Sequence, residues 1–279
     1  MTTSILSRSS GFTSGQGASG PVERARRVWE YRRILTLLVG RDLKVKYAGS
    51  ALGYVWSVLE PLAMSVVFWY VFTKIVHRQI GYPPFILFLV SGQFAWFWLN
   101  GTINASIGAL RGESQMVRST NVPRELWIVR QVVSHGVEFI FSTPVIALFA
   151  LIYRHGPTKD IVYLPLAFLL SVVFLTGVGL MLAPAAVLVA DIRRVMRVVL
   201  RVLFYVSPVL YSVHDIPAGF RPFASWNPVA GILCLFRATF FPQELVWTYV
   251  IRSAILSVLC LVVGLFVFTR LERPMLKEI

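Results

Sequence analysis

Residues 161–190 read IVYLPLAFLLSVVFLTGVGLMLAPAAVLVA. No Asp, Glu, Lys, Arg or His interrupts them. About 20 apolar residues in helical form span the hydrocarbon core of a bilayer. The run therefore specifies a membrane helix, with Gly177, Gly179 and Pro184 predicting a kink. The whole chain agrees. Of its 279 residues, 56% are hydrophobic and 14% charged, against about 25% charged in soluble domains. That leaves too little polar cover for a water-facing surface.

Five further segments flank this one, at 56–76, 84–110, 132–153, 197–213 and 245–269. Glu60-Pro61 stands near the start of the first, where proline suits a helix's opening turn. Gln93, Asn100 and Asn104 lie inside the second, and the one at 197–213 is short. The expected fold is all-α and integral to the membrane, with six spans. Residues 229–241 are apolar, hold Arg237 and are too short to cross. Polar, Pro-rich sequence at 214–222 precedes them. A re-entrant outer hairpin fits both features, because irregular backbone at membrane depth needs shelter. A surface loop with a core helix is the other reading.

Three regions are expected: a disordered tail at 1–20, an interface helix and gate segment at 21–55, and the transmembrane domain at 56–279. The tail is rich in Ser, Gly and Thr and has no apolar core for a signal peptide. Residues 21–39 form an amphipathic helix. Val28, Tyr31, Leu35, Leu38 and Val39 share one face, Glu23, Arg26, Glu30 and Arg33 the other, and Trp29 lies off the apolar face.

Net charge is +14, and its placement is a topology signal. Nine of the 27 Lys and Arg lie in residues 1–56, four in 111–131, four in 190–201 and three in 270–279. The other side holds six, with Arg252 inside the last segment. Such asymmetry places both termini in the cytoplasm. The basic counter-surface is then anionic lipid and a partner protein, with no nucleic acid.

Catalytic signals are sparse. No G-x-x-x-x-G-K-[ST] loop exists to cradle nucleotide phosphates. Cys234 and Cys260 sit in apolar stretches without ligand-spaced neighbours, so no metal site is expected. Membrane acids are few. His135 and Glu138 share a helical face, as a proton relay or as an ordinary interhelical contact. The loop 111–126 is compact and charged. Asn121-Val122-Pro123 makes a turn and Pro123-Arg124-Glu125 suits the start of a helix. This is either a force-transmitting element or a tight inside loop.

Three stretches stand out in order. The first is Arg41-Asp42-Leu43-Lys44-Val45-Lys46-Tyr47 through Leu52-Gly53-Tyr54-Val55-Trp56 to Glu60-Pro61. The second is Asn121-Val122-Pro123-Arg124-Glu125. The third is Tyr205-Val206-Ser207-Pro208-Val209-Leu210-Tyr211, followed by Trp226-Asn227-Pro228-Val229. Taken together they resemble the transmembrane subunit of ABC-2-type polysaccharide exporters, the family of O-antigen, teichoic acid and mycobacterial galactan permeases, which usually has an aromatic before the proline of the second stretch.

The resemblance implies two copies of this chain with two ATP-binding-cassette subunits. ATP and Mg would be bound by those partners, with no cofactor and no catalytic residue in this chain. It implies an inner-membrane exporter of a polysaccharide, lipid-linked, with a cell-wall galactan as one cargo. It also implies a coupling segment, expected to involve Gln115, Met116, Arg118, Asn121, Val122, Pro123, Arg124 and Glu125. Exchanging Arg124 and Glu125 is expected to stop export without loss of folding. A gate segment that meets lipid headgroups would use Arg41, Asp42, Lys44, Lys46 and Tyr47. Arg193, Arg194 and Arg197 could join Arg41, Lys44 and Lys46 in meeting a lipid pyrophosphate. A sugar path needs aromatic platforms and hydrogen-bonding groups; Trp69, Tyr70, Phe94, Trp96, Phe97, Trp98, Asn100, Tyr205 and Tyr211 are the candidates, with lipid-facing aromatic belts as their other reading. The rival functions are an ABC-2 exporter of a lipid or drug, and a membrane-embedded glycosyltransferase. The latter wants clustered acids, whereas Asp160, Asp191, Asp215 and Glu244 are scattered in sequence.

Overall fold

The computed structural model describes residues 20–49, 53–77, 80–120 and 122–278. The tail expected to be disordered lies outside them, apart from Gly20. Among the described residues there are helices and no strands. In chain order the α-helices are α1 (Pro21–Glu30), α2 (Arg32–Tyr47), α3 (Trp56–Tyr70), α4 (Phe85–Gly112), α5 (Ser114–Ser119), α6 (Glu125–Ile152), α7 (Leu164–Leu188), α8 (Ile192–Val206), α9 (Arg221–Ala224), α10 (Pro228–Ala238) and α11 (Trp247–Glu278). A wider helical turn at Val71–Ile75 prolongs α3, and a tighter one at Lys159–Tyr163 leads into α7.

Among the described residues five helices are long and apolar enough to cross a membrane: α3 with its extension, α4, α6, α7 with its leading turn, and α11. The sequence predicted six. The segment expected at 197–213 is divided, its helical part belonging to the 15-residue α8 and its remainder to an irregular turn from Ser207 onward. Helix α6 starts seven residues before the expected 132, and α11 runs on past the apolar stretch to Glu278. The interface helix expected as one piece is two, because Tyr31 leaves helical geometry at φ −87° and ψ 13°. The apolar face read from the sequence is turned inward. Val39 is buried, Leu38 packs against a core cluster, and Trp29 is 70% exposed.

Helix α4 is central. It is buried along most of its length, whereas α3 and α11 expose most of theirs. It packs against α3, α6, α7 and α10, and α7 lies along α11. That last contact is set by Gly177 and Gly264. A Cβ at Gly177 would meet the Cys260 backbone at 2.5 Å, and one at Gly264 would strike the Gly177 carbonyl. Without a hydrophobic force between helices in lipid, such backbone proximity supplies the association through dispersion. The outward faces carry Ile140, Leu148, Ile255 and Phe266, all exposed apolar side chains suited to lipid.

Beyond α8 the chain needs a device to shelter non-helical backbone, and Arg237 of α10 provides it. Its guanidinium is fully buried and donates to the carbonyls of Pro208 at 2.5 Å, Tyr211 at 3.0 Å, and Val209. It lies 3.7 Å from the Phe88 ring centroid and 3.8 Å from Glu244. The Ser-Pro-Val-Leu-Tyr turn thus has its free carbonyls answered by one cation. Asn227 caps α10 by accepting from the Val229 amide at 3.0 Å and donates to Ser207 Oγ at 2.8 Å, with Pro228 at the first helical position. Burial raises the Glu244 carboxyl above its ordinary range, opposed by Arg237 and Ser212.

Candidate functional site

Two adjoining grooves open beside α3. One, of about 340 Å³, is lined by Met64 and Phe68 of α3, by Gln93, Trp96, Phe97, Asn100 and Asn104 of α4, and by Arg197, Arg201, Phe204 and Tyr205 of α8. The other, of about 240 Å³, lies between α3, α4 and α6 and is lined by Trp56, Glu60, Phe94, Phe97, Trp98 and Asn100, with Lys46, His135 and Glu138 at its charged end. Phe97 and Asn100 face both. Gln93 is 1% exposed, and neither amide atom has a hydrogen-bond partner among the described residues. A buried amide without a partner costs about 1–3 kcal/mol.

Six of the nine expected channel residues therefore line these grooves: Phe94, Trp96, Phe97, Trp98, Asn100 and Tyr205. Trp98 belongs largely to the core. It stacks on Phe139 at 5.4 Å and its indole donates to the Val132 carbonyl at 3.3 Å. Trp69 packs against the core, Tyr70 is exposed, and the Tyr211 hydroxyl donates to the carbonyls of Tyr205 and Val206 at 3.1 and 2.8 Å. Gln93, Phe68, Asn104 and Arg201 join the site without having been among the expected channel residues. The amides within an apolar span were the available signal.

Helix α8 explains the mixture. Met196, Leu200, Leu203 and Phe204 pack on the core, Arg197 and Arg201 line the groove, and Val195, Val198, Val202 and Val206 form an exposed stripe. A helix with three such faces scores poorly as a lipid-immersed span.

Around the C-terminal end of α4, an ion network ties the terminal elements together. Arg124 donates to Glu272 of α11 at 2.7 Å. Arg24 of α1 bridges Glu125 and, at 3.4 Å, Glu272. Arg41 meets Glu113, and Arg130 meets Asp42 at 2.9 Å and Glu113 at 3.3 Å. Lys46 donates to Glu138 at 2.7 and 2.9 Å. The expected gate residues Arg41, Asp42 and Lys46 are thus engaged within the protomer, while Lys44 is exposed and the Tyr47 side chain lies outside the described residues. Glu138 pairs with Lys46, and His135 Nδ1 lies 3.0 Å from the Gln131 carbonyl.

The loop before α6 divides the same way. Gln115, Met116 and Arg118 of α5 point outward around the buried Val117. Val122 and Pro123 are half-buried, Glu125 is 8% exposed, and Asn121 lies outside the described residues. Arg124 pairs with Glu272 of α11 and Glu125 with Arg24 of α1, so both side chains hold the loop to neighbouring elements. Asp215 and Glu244, scattered in sequence, meet in space. Asp215 accepts from the Ser212 amide at 2.8 Å and Glu244 from the Ser212 hydroxyl. Both are spent on capping and on Arg237, and neither lines the grooves. No cluster of His, Cys, Asp and Glu suited to a metal occurs among the described residues.

The family model of the ABC-2 type transporter matches residues 34–241, which takes in α3 to α10 and the grooves. The chain belongs to the ABC-2 type transporter family. It is a multi-pass membrane protein. This ABC-2 chain is 29% identical over 240 residues to the O-antigen export system permease protein RfbA of Klebsiella pneumoniae, covering 86% of this chain and 92% of that one. A protein of the same description from Myxococcus xanthus is 25% identical, over 80% and 86% of the two chains. The polysialic acid transport protein KpsM of Escherichia coli is 24% identical, over 85% and 93%.

Proposed function

We propose that this chain is the membrane subunit of an ATP-driven exporter that moves a lipid-linked polysaccharide outward across the bacterial inner membrane. One observation carries the reading: aromatic plates line two grooves that share Phe97 and Asn100, and the unpartnered Gln93 amide and two arginines line one of them. Sugars present CH faces that stack on rings and hydroxyls that need hydrogen bonds. A purely apolar cargo would leave Gln93 unanswered. The printed descriptions of the relatives, O-antigen export and polysialic acid transport, name polysaccharide cargo as well.

In this reading α8, continued by Ser207–Tyr211, is the fifth of six spans, and α9 with α10 forms a re-entrant outer hairpin. The charge asymmetry supports cytoplasmic termini. A second copy covers the valine stripe of α8 and completes the path. Two ATP-binding subunits, holding ATP and Mg, dock on the outward residues of α5. Arg124 and Glu125 transmit their movement to α1 and α11 as anchors.

Purification from native membranes, followed by reconstitution, tests the whole. The expected result is copurification of an ATPase whose turnover rises with lipid-linked glycan, with cell-wall galactan and an unrelated O-polysaccharide as parallel arms. Gln93→Leu should abolish that rise while preserving assembly. Uphill glycan transport by the isolated chain, without nucleotide, would refute the reading.

A further inference from the structure

Helix α6, the loop 153–163, α7 and the end of α10 enclose a cavity of about 660 Å³, a size typical of ligand sites. Phe139 is its one lining residue in common with the grooves described above. Its walls are apolar, built from Ile146, Ala147, Ala150, Leu164 and Phe236. The Ser91 and Thr143 hydroxyls also line it, but they donate to the carbonyls of Phe88 at 3.0 Å and Ile140 at 2.7 Å within their own helices. Two further groups break the apolar pattern. Arg154 stands exposed at the rim and makes no side-chain hydrogen bond or ion pair among the described residues. Thr239 also lines the cavity. It is 5% exposed, and its hydroxyl has no hydrogen-bond partner among the described residues.

The walls are fixed in place. Thr158 donates from its amide to the Thr239 carbonyl at 2.8 Å and from its hydroxyl to the Ala238 carbonyl at 2.9 Å. His155 Nε2 lies 2.9 Å from the Phe240 carbonyl. Tyr163, next to the lining Leu164, meets Trp247 edge to face at 5.2 Å. Paired Tyr and Trp at the ends of apolar helices mark headgroup depth. The cavity thus begins where lipid phosphates lie and descends along α6 into the hydrocarbon.

We propose that this cavity binds one hydrocarbon chain of an anionic phospholipid from the surrounding leaflet, with the lipid phosphate at Arg154 and an ester carbonyl at the Thr239 hydroxyl. The apolar length takes the chain, the cation takes the phosphate, and the buried hydroxyl takes the acceptor that lies just below it. A neutral hydrocarbon would leave both polar groups unused. A second protein copy would have to insert a chain-shaped apolar segment beneath a cation. The site needs no glycan and stands whatever the cargo is.

The test uses the intact transporter in nanodiscs containing phosphatidylglycerol with a photoactivatable group on its acyl chain, and in parallel the matching phosphatidylcholine. Phosphatidylglycerol should crosslink to residues 146–154 and 236–240 and outlabel phosphatidylcholine. Ala147→Trp, which fills the cavity from an exposed position, should abolish that crosslink. Arg154→Gln, on the surface, should cut phosphatidylglycerol labelling about five-fold, the value of one arginine near an anionic headgroup, and leave phosphatidylcholine unchanged. Equal labelling by the two lipids, labelling indifferent to Arg154→Gln, or crosslinks to the second copy in place of lipid would each overturn the proposal. Should Ala147→Trp fail to assemble, the lipid ratio and Arg154→Gln decide alone.

Discussion

Arg124 Nη1 donates to Glu272 Oε1 at 2.7 Å, joining the loop before α6 to a residue 148 positions later. Their side chains are 18% and 19% exposed, so water screens the pair only partly. Arg124→Gln should therefore cost about 1.5–3 kcal/mol, the usual worth of a charge-assisted bond. Thermal melting in detergent measures this. Arg124→Glu combined with Glu272→Arg should recover most of the loss. By contrast, the Arg26–Glu30 pair is 79% and 54% exposed. Arg26→Ala should leave the melting temperature unchanged within error, because exposed pairs contribute about 0–1 kcal/mol.

Arg237 has a larger role. Replacing it with Ala strands Glu244 and three carbonyls without their cation. Loss of one partner from a buried pair costs about 3–5 kcal/mol. Arg237→Ala is expected to fail to reach the membrane in folded form, as judged by size-exclusion of a fluorescent fusion. Arg237→Lys should be nearly as damaging, since an ammonium lacks the fork that serves several carbonyls at once. A well-folded lysine variant would show that charge alone suffices.

The α7–α11 contact is tested at Gly177. Gly177→Leu places atoms inside the Cys260 backbone and should force the helices apart, with a loss of at least about 1–3 kcal/mol. Gly112, with nothing within 4 Å of a Cβ, is the control. Gly112→Ala should be neutral or slightly stabilising, because alanine favours helix by about 1 kcal/mol.

In the grooves, Phe97→Ala removes the ring common to both cavities. An aromatic contact is worth about 0.5–1.5 kcal/mol beyond area burial. Half-maximal glycan stimulation of the ATPase should shift to about two- to ten-fold higher concentration, with basal turnover unchanged. An unaltered dose curve would place the glycan path elsewhere.

Much of the framework was legible because membrane helices write their length into the chain. The runs at 56–76, 84–110 and 161–190 each correspond to a helix of similar extent. Helix α8 was read only roughly, since Arg197 and Arg201 interrupt its apolar pattern and the groove that accommodates them is made by other elements. The loop 111–126 was recognised as a compact unit. The pairing of Arg124 and the burial of Glu125 were not legible, because their partners Glu272 and Arg24 lie 148 and 101 residues away.

Composition and hydropathy, with the placement of lysine and arginine, determined on their own that this chain is a helical membrane protein without a phosphate-binding loop. Those properties are local: a run of side chains either prefers lipid or does not. Tertiary structure alone decided which cations are neutralised, which amide is left without a partner, and that Arg237 closes the turn after α8. Each depends on atoms far apart in sequence arriving within about 3 Å of one another, the range of a hydrogen bond, and no periodicity in the chain encodes that meeting.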